Sequence, residues 1–159
     1  DTGIAVPEPT PEEQEPPPPK REKFSPDRKL RIYIAGDSLV VVPGQSLLRA
    51  LGGRSSMEAT GEVDGRIASG LERPDVFNWF EHIPKQMRKD KPRAVVLMFG
   101  GNDDHGFMTG LPPGRRVDGF ATPSWTEEYR RRVQATSGQI DARSHPRRLH
   151  APSYWVQQA

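Results

Sequence analysis

The chain has 159 residues, enough for one domain, and only 33% of them are hydrophobic, which predicts that part of the chain lies outside any packed core. The 23 basic and 21 acidic side chains leave a net charge of +2, too small an excess to predict a nucleic-acid partner. The absence of cysteine excludes disulfides, and no apolar stretch approaches the roughly 20 residues of a membrane span.

The first 28 residues have the composition of a linker. Eight of the 17 prolines fall in this segment, four of them consecutively at 16–19, and glutamates are interspersed among them. Such a segment is extended and stiff and buries no core. We predict a Pro/Glu-rich disordered linker over 1–28, serving either as a spacer from an upstream membrane tether or as a plain disordered tail.

Residues 29–133 alternate strand and helix patterns, which predicts a parallel sheet with helices on both faces. Two apolar runs, Leu30–Ala35 and Ala94–Phe99, are continuous, as buried parallel strands usually are, and a weaker strand is predicted within 55–63. The predicted fold is therefore α/β, a three-layer αβα arrangement around a parallel, flavodoxin-like sheet.

Three helical regions are predicted. The first follows Pro43, gathers leucines on one face and ends at a Gly-Gly pair. The second is expected as two short pieces, Asp75–Phe80 and Pro84–Lys89, because proline suits a first helical turn and breaks a continuous helix. After a loop rich in Gly and Pro, Ser124-Trp125-Thr126-Glu127 has the form of a capping box and predicts a helix through Val133.

After Val133 no sustained helix or strand period is visible, so we predict an irregular tail over 134–159 that lies outside the domain family. A doubly wound domain is expected to enter another buried strand here. The fold is therefore predicted to be truncated, with an unpaired sheet edge and marginal stability, as after a frameshift or a mispredicted gene end. Six late arginines are expected on a solvated helix face or in this tail: Arg130, Arg131, Arg132, Arg143, Arg147 and Arg148.

Polar motifs follow both clear strands, at the edge where open α/β sheets place their chemistry. Gly36-Asp37-Ser38-Leu39 follows the first strand, and Ser38 is the candidate nucleophile, given a base for its proton and donors for an oxyanion. Gly100-Gly101-Asn102-Asp103 follows the second, and Asn102 is expected to face the same crevice, although Gly-Asn-Asp also makes an ordinary turn. The spacing is not that of the Gly-x-Ser-x-Gly elbow.

With Gly70 in Ile67-Ala68-Ser69-Gly70-Leu71, these two motifs resemble the first three sequence blocks of the SGNH (GDSL-type) hydrolases. The surrounding Ser69-Gly70-Leu71-Glu72-Arg73-Pro74-Asp75 and Trp125-x-x-x-Tyr129-x-x-Arg132-Val133 are similar to a less characterised bacterial branch, often found on the outer side of the cytoplasmic membrane. The resemblance covers about residues 30–133.

The resemblance implies a serine esterase or acyl hydrolase. Ser38 would be the nucleophile, and the backbone N–H groups of Ser38 and Gly70 with the side-chain amide of Asn102 would form the oxyanion hole. Asp37 is expected to brace the loop rather than to act as a catalytic acid. The implied substrates are O-acyl esters of envelope carbohydrate or lipid, in the cell envelope, with no cofactor and no metal.

The resemblance also implies a fourth block, Asp-x-x-His, whose histidine activates the serine, and this spacing does not occur in the chain. His82 is expected to be a surface or packing residue and His105 a loop histidine. The pair Asp141 and His145 has one residue too many between its members. A metal site from the Asp-Asp-His run at 103–105 is disfavoured, because three adjacent ligands rarely converge on one ion.

Two alternatives to an active hydrolase remain. The first is a catalytically inactive fragment or binding module that lacks the His/Asp base. A flavodoxin-like nucleotide binder shares the fold class, but no Gly-rich phosphate loop opens the first predicted helix.

Overall fold

The computed structural model of the chain describes residues 22–144. Four strands and three helices follow in this order: β1 (Leu30–Gly36), α1 (Val41–Gly52), β2 (Met57–Ala59), β3 (Asp64–Gly65), α2 (Trp79–Asp90), β4 (Ala94–Met98) and α3 (Pro123–Ser144). Within this part of the chain every helix is too short or too polar to cross a membrane.

The sheet is parallel throughout and is built around β1. On one edge β1 pairs first with β2 and then with β3, so the weak strand predicted within 55–63 is divided into two short pieces, the second just beyond that range. On the other edge β1 pairs with β4, from Ile32↔Ala94 to Gly36↔Met98. Among residues 22–144, nothing pairs with the outer edge of β4. The carboxyl ends of β1, β3 and β4 lie together at one end of the sheet.

Helices cover both faces of the sheet because successive side chains of a strand point to opposite sides. Tyr33 and Ala35 pack against the buried side of α2 and α3. Ile32 and Ile34 point the other way and pack with Leu51 of α1. The predicted α/β fold with three αβα layers is confirmed.

The second helical region differs from the prediction of two short pieces. The segment before residue 79 forms turns, and α2 is one helix that begins after Asn78, whose side chain caps it, and runs through Pro84. An interior proline costs roughly 3 kcal/mol. Burial of the Trp79 and Ile83 side chains, each worth about 1.5–3 kcal/mol, offsets that cost and keeps the helix continuous.

The start of α3 also differs from the predicted capping box. Thr122 is the capping residue, since its Oγ1 accepts a hydrogen bond from the Trp125 N–H at 3.4 Å, and Pro123 occupies the first helical position. Ser124 instead donates to Asp118 Oδ2 at 2.8 Å.

The expectation of irregular chain after Val133 is wrong for residues 134–144, which continue α3. Thr136 is buried, and Ile140 packs against the core on the α2 face of the sheet. This part of the helix carries few apolar residues, so the helical period of apolar side chains is weak in the sequence, although the helix packs against the core. The rest of the predicted tail, 145–159, lies outside the described residues.

The end of the predicted linker is tied to the domain. Ser25 and Arg28 exchange backbone hydrogen bonds of 3.1 and 3.0 Å, and Glu22 forms ion pairs with Arg28 and with Arg93, just before β4. Residues 22–28 of the predicted linker therefore contact the domain, and residues 1–21 lie outside the described residues.

Candidate active site

The loop after β1 is held against the end of β4. A Cβ on Gly36 would lie 1.9 Å from the Met98 carbonyl oxygen, so only glycine permits this approach. The Asp37 side chain, fully buried, accepts three backbone hydrogen bonds: from Leu39 at 2.8 Å, from Gly100 at 2.9 Å and from Gly101 at 2.8 Å. These bonds confirm that Asp37 braces the loop, and they join the first motif to the third.

Ser38 lies exposed at the start of a 3₁₀ turn over Ser38–Val40. Within residues 22–144 its hydroxyl makes no hydrogen bond, and its backbone N–H donates to no acceptor. The side chain next to the buried brace is therefore free to meet a ligand.

The loop that carries Gly70 is held in place by hydrogen bonds of Ser69. Ser69 Oγ donates to the Arg66 carbonyl at 2.7 Å and accepts from Trp79 Nε1 at 3.0 Å, and Ala68 adopts a left-handed φ of 58°. Such strained residues cluster at functional loops. The Gly70 N–H, although the residue is buried, donates no hydrogen bond within the described part of the chain.

Asn102 connects the third motif to this loop. Its Nδ2 donates to the Ser69 carbonyl at 2.9 Å, one bond before Gly70. An amide nitrogen carries two hydrogens, so one is left for another acceptor. The three residues predicted as site residues, Ser38, Gly70 and Asn102, thus lie on loops that are tied together by the hydrogen bonds of Asp37 and Asn102.

Asp103, in the third motif, fixes the position of the loop that carries Gly70. A Cβ on Gly70 would lie 2.1 Å from Asp103 Oδ1, so the carboxylate occupies the space that any other residue at position 70 would need. Its oxygens accept from the Glu72 N–H at 2.9 Å and from the Tyr129 hydroxyl at 2.7 Å. Burial, with the nearby Asp103 charge, raises the pKa of Tyr129 well above its usual range.

Arg132 joins α3 to the Gly70 loop from behind. Its guanidinium is buried and donates to the carbonyls of Leu71 at 2.7 Å, Glu72 at 3.1 Å and Thr109 at 2.7 Å. Its Nε donates to Glu128 Oε1 at 2.9 Å. The expectation of a solvated arginine face is wrong for Arg132, because a guanidinium whose three nitrogens all have hydrogen-bond partners can be buried.

The same helix supplies two more contacts behind the loop. Trp125 Nε1 donates to the buried carboxylate of Glu72 at 2.5 Å. Hydrogen bonds from Arg131 outweigh burial and, with Arg132, lower the pKa of Glu128 to about 2. The roles of Glu72, Asp103 and Arg132 were not predicted from the sequence. Their signal was the pattern Trp125-x-x-x-Tyr129-x-x-Arg132, whose spacing places these three α3 side chains on one side of the helix.

The described histidines lie where packing and loop roles were predicted. His82 Nε2 is 2.6 Å from Asp64 Oδ2, and its ring contacts Trp79. Burial acts to raise the pKa of Asp64, but hydrogen bonds from His82 and Tyr33 outweigh it and lower that pKa. His105 is exposed, and because a carbonyl only accepts, its Nδ1 donates to the Asn102 carbonyl at 2.8 Å. Neither ring contacts Ser38, and His145 lies outside the described residues.

The fold and these loops define an α/β domain with a free serine at the carboxyl edge of its sheet. A family model, DUF459 (Protein of unknown function), matches residues 31–159, and the chain belongs to this family. The matched range includes 134–159, the segment predicted to lie outside the domain family. A search of curated proteins finds no match.

Proposed function

We propose that the chain is an SGNH-type serine hydrolase domain that cleaves carboxylic esters by acyl transfer through Ser38. The observation that carries the proposal is a set of unpartnered groups. Within residues 22–144, the hydroxyl and N–H of Ser38 and the N–H of Gly70 make no hydrogen bond, and Asn102 keeps one amide hydrogen. Of these residues Gly70 is buried, and because buried polar groups are nearly always paired, its N–H is poised for a ligand atom beside the exposed Ser38 hydroxyl.

The chemistry follows from these groups. Ser38 Oγ attacks the ester carbonyl carbon while its proton passes to a general base and then to the departing alkoxide, so an acyl-serine and an alcohol form. Water then releases the acid and restores the hydroxyl. In both steps the carbonyl oxygen gains negative charge, and the donors of Ser38, Gly70 and Asn102 stabilise it, each worth roughly 3–4 kcal/mol in such sites.

The base is the part of the mechanism that no described contact supplies. Among residues 22–144 no histidine forms a hydrogen bond with Ser38. In a serine protease without its triad, the oxyanion hole and binding alone keep a rate of order 10³–10⁴ over water. We therefore expect slow turnover from the described groups, on O-acyl esters of envelope carbohydrate or lipid as the proposed substrates.

The same observation favours a second candidate, a binding module that holds an ester or acid without turnover. The site would still have its donors, but Ser38 would lack activation. The two candidates differ in one property, the nucleophilicity of a single hydroxyl.

Covalent labelling decides between them. The full chain is treated with a fluorophosphonate probe, and hydrolysis of p-nitrophenyl acetate is followed in parallel. For a hydrolase we expect one probe per chain on Ser38, and loss of labelling and turnover in Ser38→Ala. The matched control, Ser55→Ala, removes another exposed serine and is expected to behave like the wild type. If the wild type is labelled no faster than Ser38→Ala, the hydrolase proposal is refuted and the binding module is favoured.

A further inference from the structure

Exposed or half-exposed apolar side chains lie on the two segments that carry Ser38 and Gly70. Leu39 is 49% exposed, Val42 74% and Ile67 79%, with Val41 beside them at 37%. We call these four residues the apolar rim. Single exposed apolar side chains are ordinary on a protein surface, but a group of them beside a reactive side chain is typical of a ligand site.

The rim lies on the same loops as the proposed catalytic groups. Leu39 directly follows Ser38 and packs on the third motif, since a Cβ on Gly101 would lie 2.9 Å from Leu39 Cγ. Val41 packs on the end of β3, where a Cβ on Gly65 would lie 2.9 Å from Val41 Cγ2. Ile67 lies two residues after Gly65, where β3 ends, and three residues before the N–H donor of Gly70.

The charged residues nearest to the rim along the sequence, Arg66 and Asp37, are already partnered. Arg66, next to Ile67, pairs with Asp64 at 3.0 Å and lies over the Phe77 ring at 5.0 Å from its centroid. The Asp37 carboxylate is buried under three N–H donors. A charged substrate group would find both of these charges already engaged, whereas an alkyl chain loses only its contact with water there.

We infer that the apolar rim binds the acyl chain of the substrate, a chain of several methylenes rather than an acetyl group. This rests on the proposed function. The acyl part is assigned to the rim because it stays bonded to Ser38 after the alcohol leaves, so a surface that adjoins Ser38 acts in both steps. Burial of each methylene on an open surface contributes about two- to fourfold in affinity.

The first arm of the test measures labelling. Fluorophosphonates carrying an ethyl or an octyl chain on phosphorus, mimics of the acyl side, react with the full chain, and the rate of Ser38 labelling is read by mass spectrometry. We expect octyl to react about tenfold faster or more. Val42→Ser and Ile67→Ser together should reduce this preference to about twofold. Val76→Ser, at another half-exposed valine outside the rim, should change nothing.

Hydrolysis of octyl acetate against ethyl acetate, in which the longer chain is on the departing alcohol, separates the two ends of the ester. Preference for octyl there, equal to or above that on the acyl side, would overturn the assignment. So would equal ethyl and octyl rates in the wild type, or a preference that the two serine substitutions leave intact.

The second arm does not depend on activity. Binding of octanoate and of butyrate to the full chain is measured by calorimetry. We expect octanoate to bind at least tenfold more tightly and to lose most of that advantage in the Val42→Ser, Ile67→Ser variant. If no probe labels Ser38 but this difference is found, the hydrolase proposal fails and the rim stands. If the variant instead dissociates a dimer and octanoate does not bind, the rim is a self-association surface and the inference fails.

Discussion

Arg132 is the buried cation that joins α3 to the loop carrying Gly70, and its replacement by methionine should loosen both. Methionine keeps an apolar stem of similar length but removes the donors to the Leu71 and Thr109 carbonyls and the buried one of the arginines that pair with Glu128. Breaking a buried ion pair from one side costs about 3–5 kcal/mol, because the remaining charge and acceptors stay buried. A domain of this kind has only about 5–15 kcal/mol in total.

Arg131 provides a matched control on the same helix. It also pairs with Glu128, at 2.6 Å, but its side chain is 51% exposed. Arg131→Met should therefore cost at most about 1 kcal/mol. Arg132→Lys keeps the charge and loses the forked geometry, so its cost should lie between the two.

The assay is urea unfolding followed by tryptophan fluorescence, with Ser38 labelling as a second readout under native conditions. Labelling should slow in Arg132→Met and stay at the wild-type rate in Arg131→Met, since only the first holds the Gly70 loop. Equal costs for the two methionine variants, both below about 1 kcal/mol, would refute the reasoning that burial makes Arg132 different.

Three further outcomes are expected. Burial raises the pKa of Tyr33 and Tyr129, so their contribution to stability is fully present below about pH 10 and is lost as the pH rises further. Ultraviolet titration should show both tyrosines ionising only as the chain unfolds. Ionisation while the chain is still folded would contradict this. The pKa of Glu128 is lowered to about 2, so its contribution is full above about pH 5 and lost as the pH falls toward 2; urea midpoints across this range should vary less in Glu128→Gln. Gly70→Ala should cost about 1–3 kcal/mol and slow Ser38 labelling, because its Cβ meets a buried carboxylate. Gly138→Ala, in open space on α3, should instead stabilise by about 0.5–1 kcal/mol in the same melts, and equal effects would show that the clash is relieved.

The central strands and the first helix could be predicted from the sequence because their signal is local. The continuous apolar runs of β1 and β4 and the leucine face of α1 each lie within about a dozen residues, where periodicity is decisive. The order of these elements then predicts a parallel sheet, and a parallel sheet brings the loops with Ser38 and Asn102 to one edge.

Helix boundaries could not be predicted in the same way because distant contacts decide them. Pro84 is tolerated inside α2 since the helix buries Trp79 and Ile83 on the sheet. The polar second half of α3 is held by packing on the sheet and α2, a partner its own sequence does not reveal. In both places tertiary burial exceeds a local preference of a few kcal/mol.

By itself, then, the sequence determined the α/β class and the strand-end position of Ser38, because those follow from local pattern and chain order. The tertiary structure decided which polar residues build the site. Asp37 binds the N–H groups of Gly100 and Gly101, 63 and 64 residues away, and Arg132 binds the carbonyl of Leu71, 61 residues away. Hydrogen bonds of this kind depend on direction and distance in space, and no sequence interval encodes them.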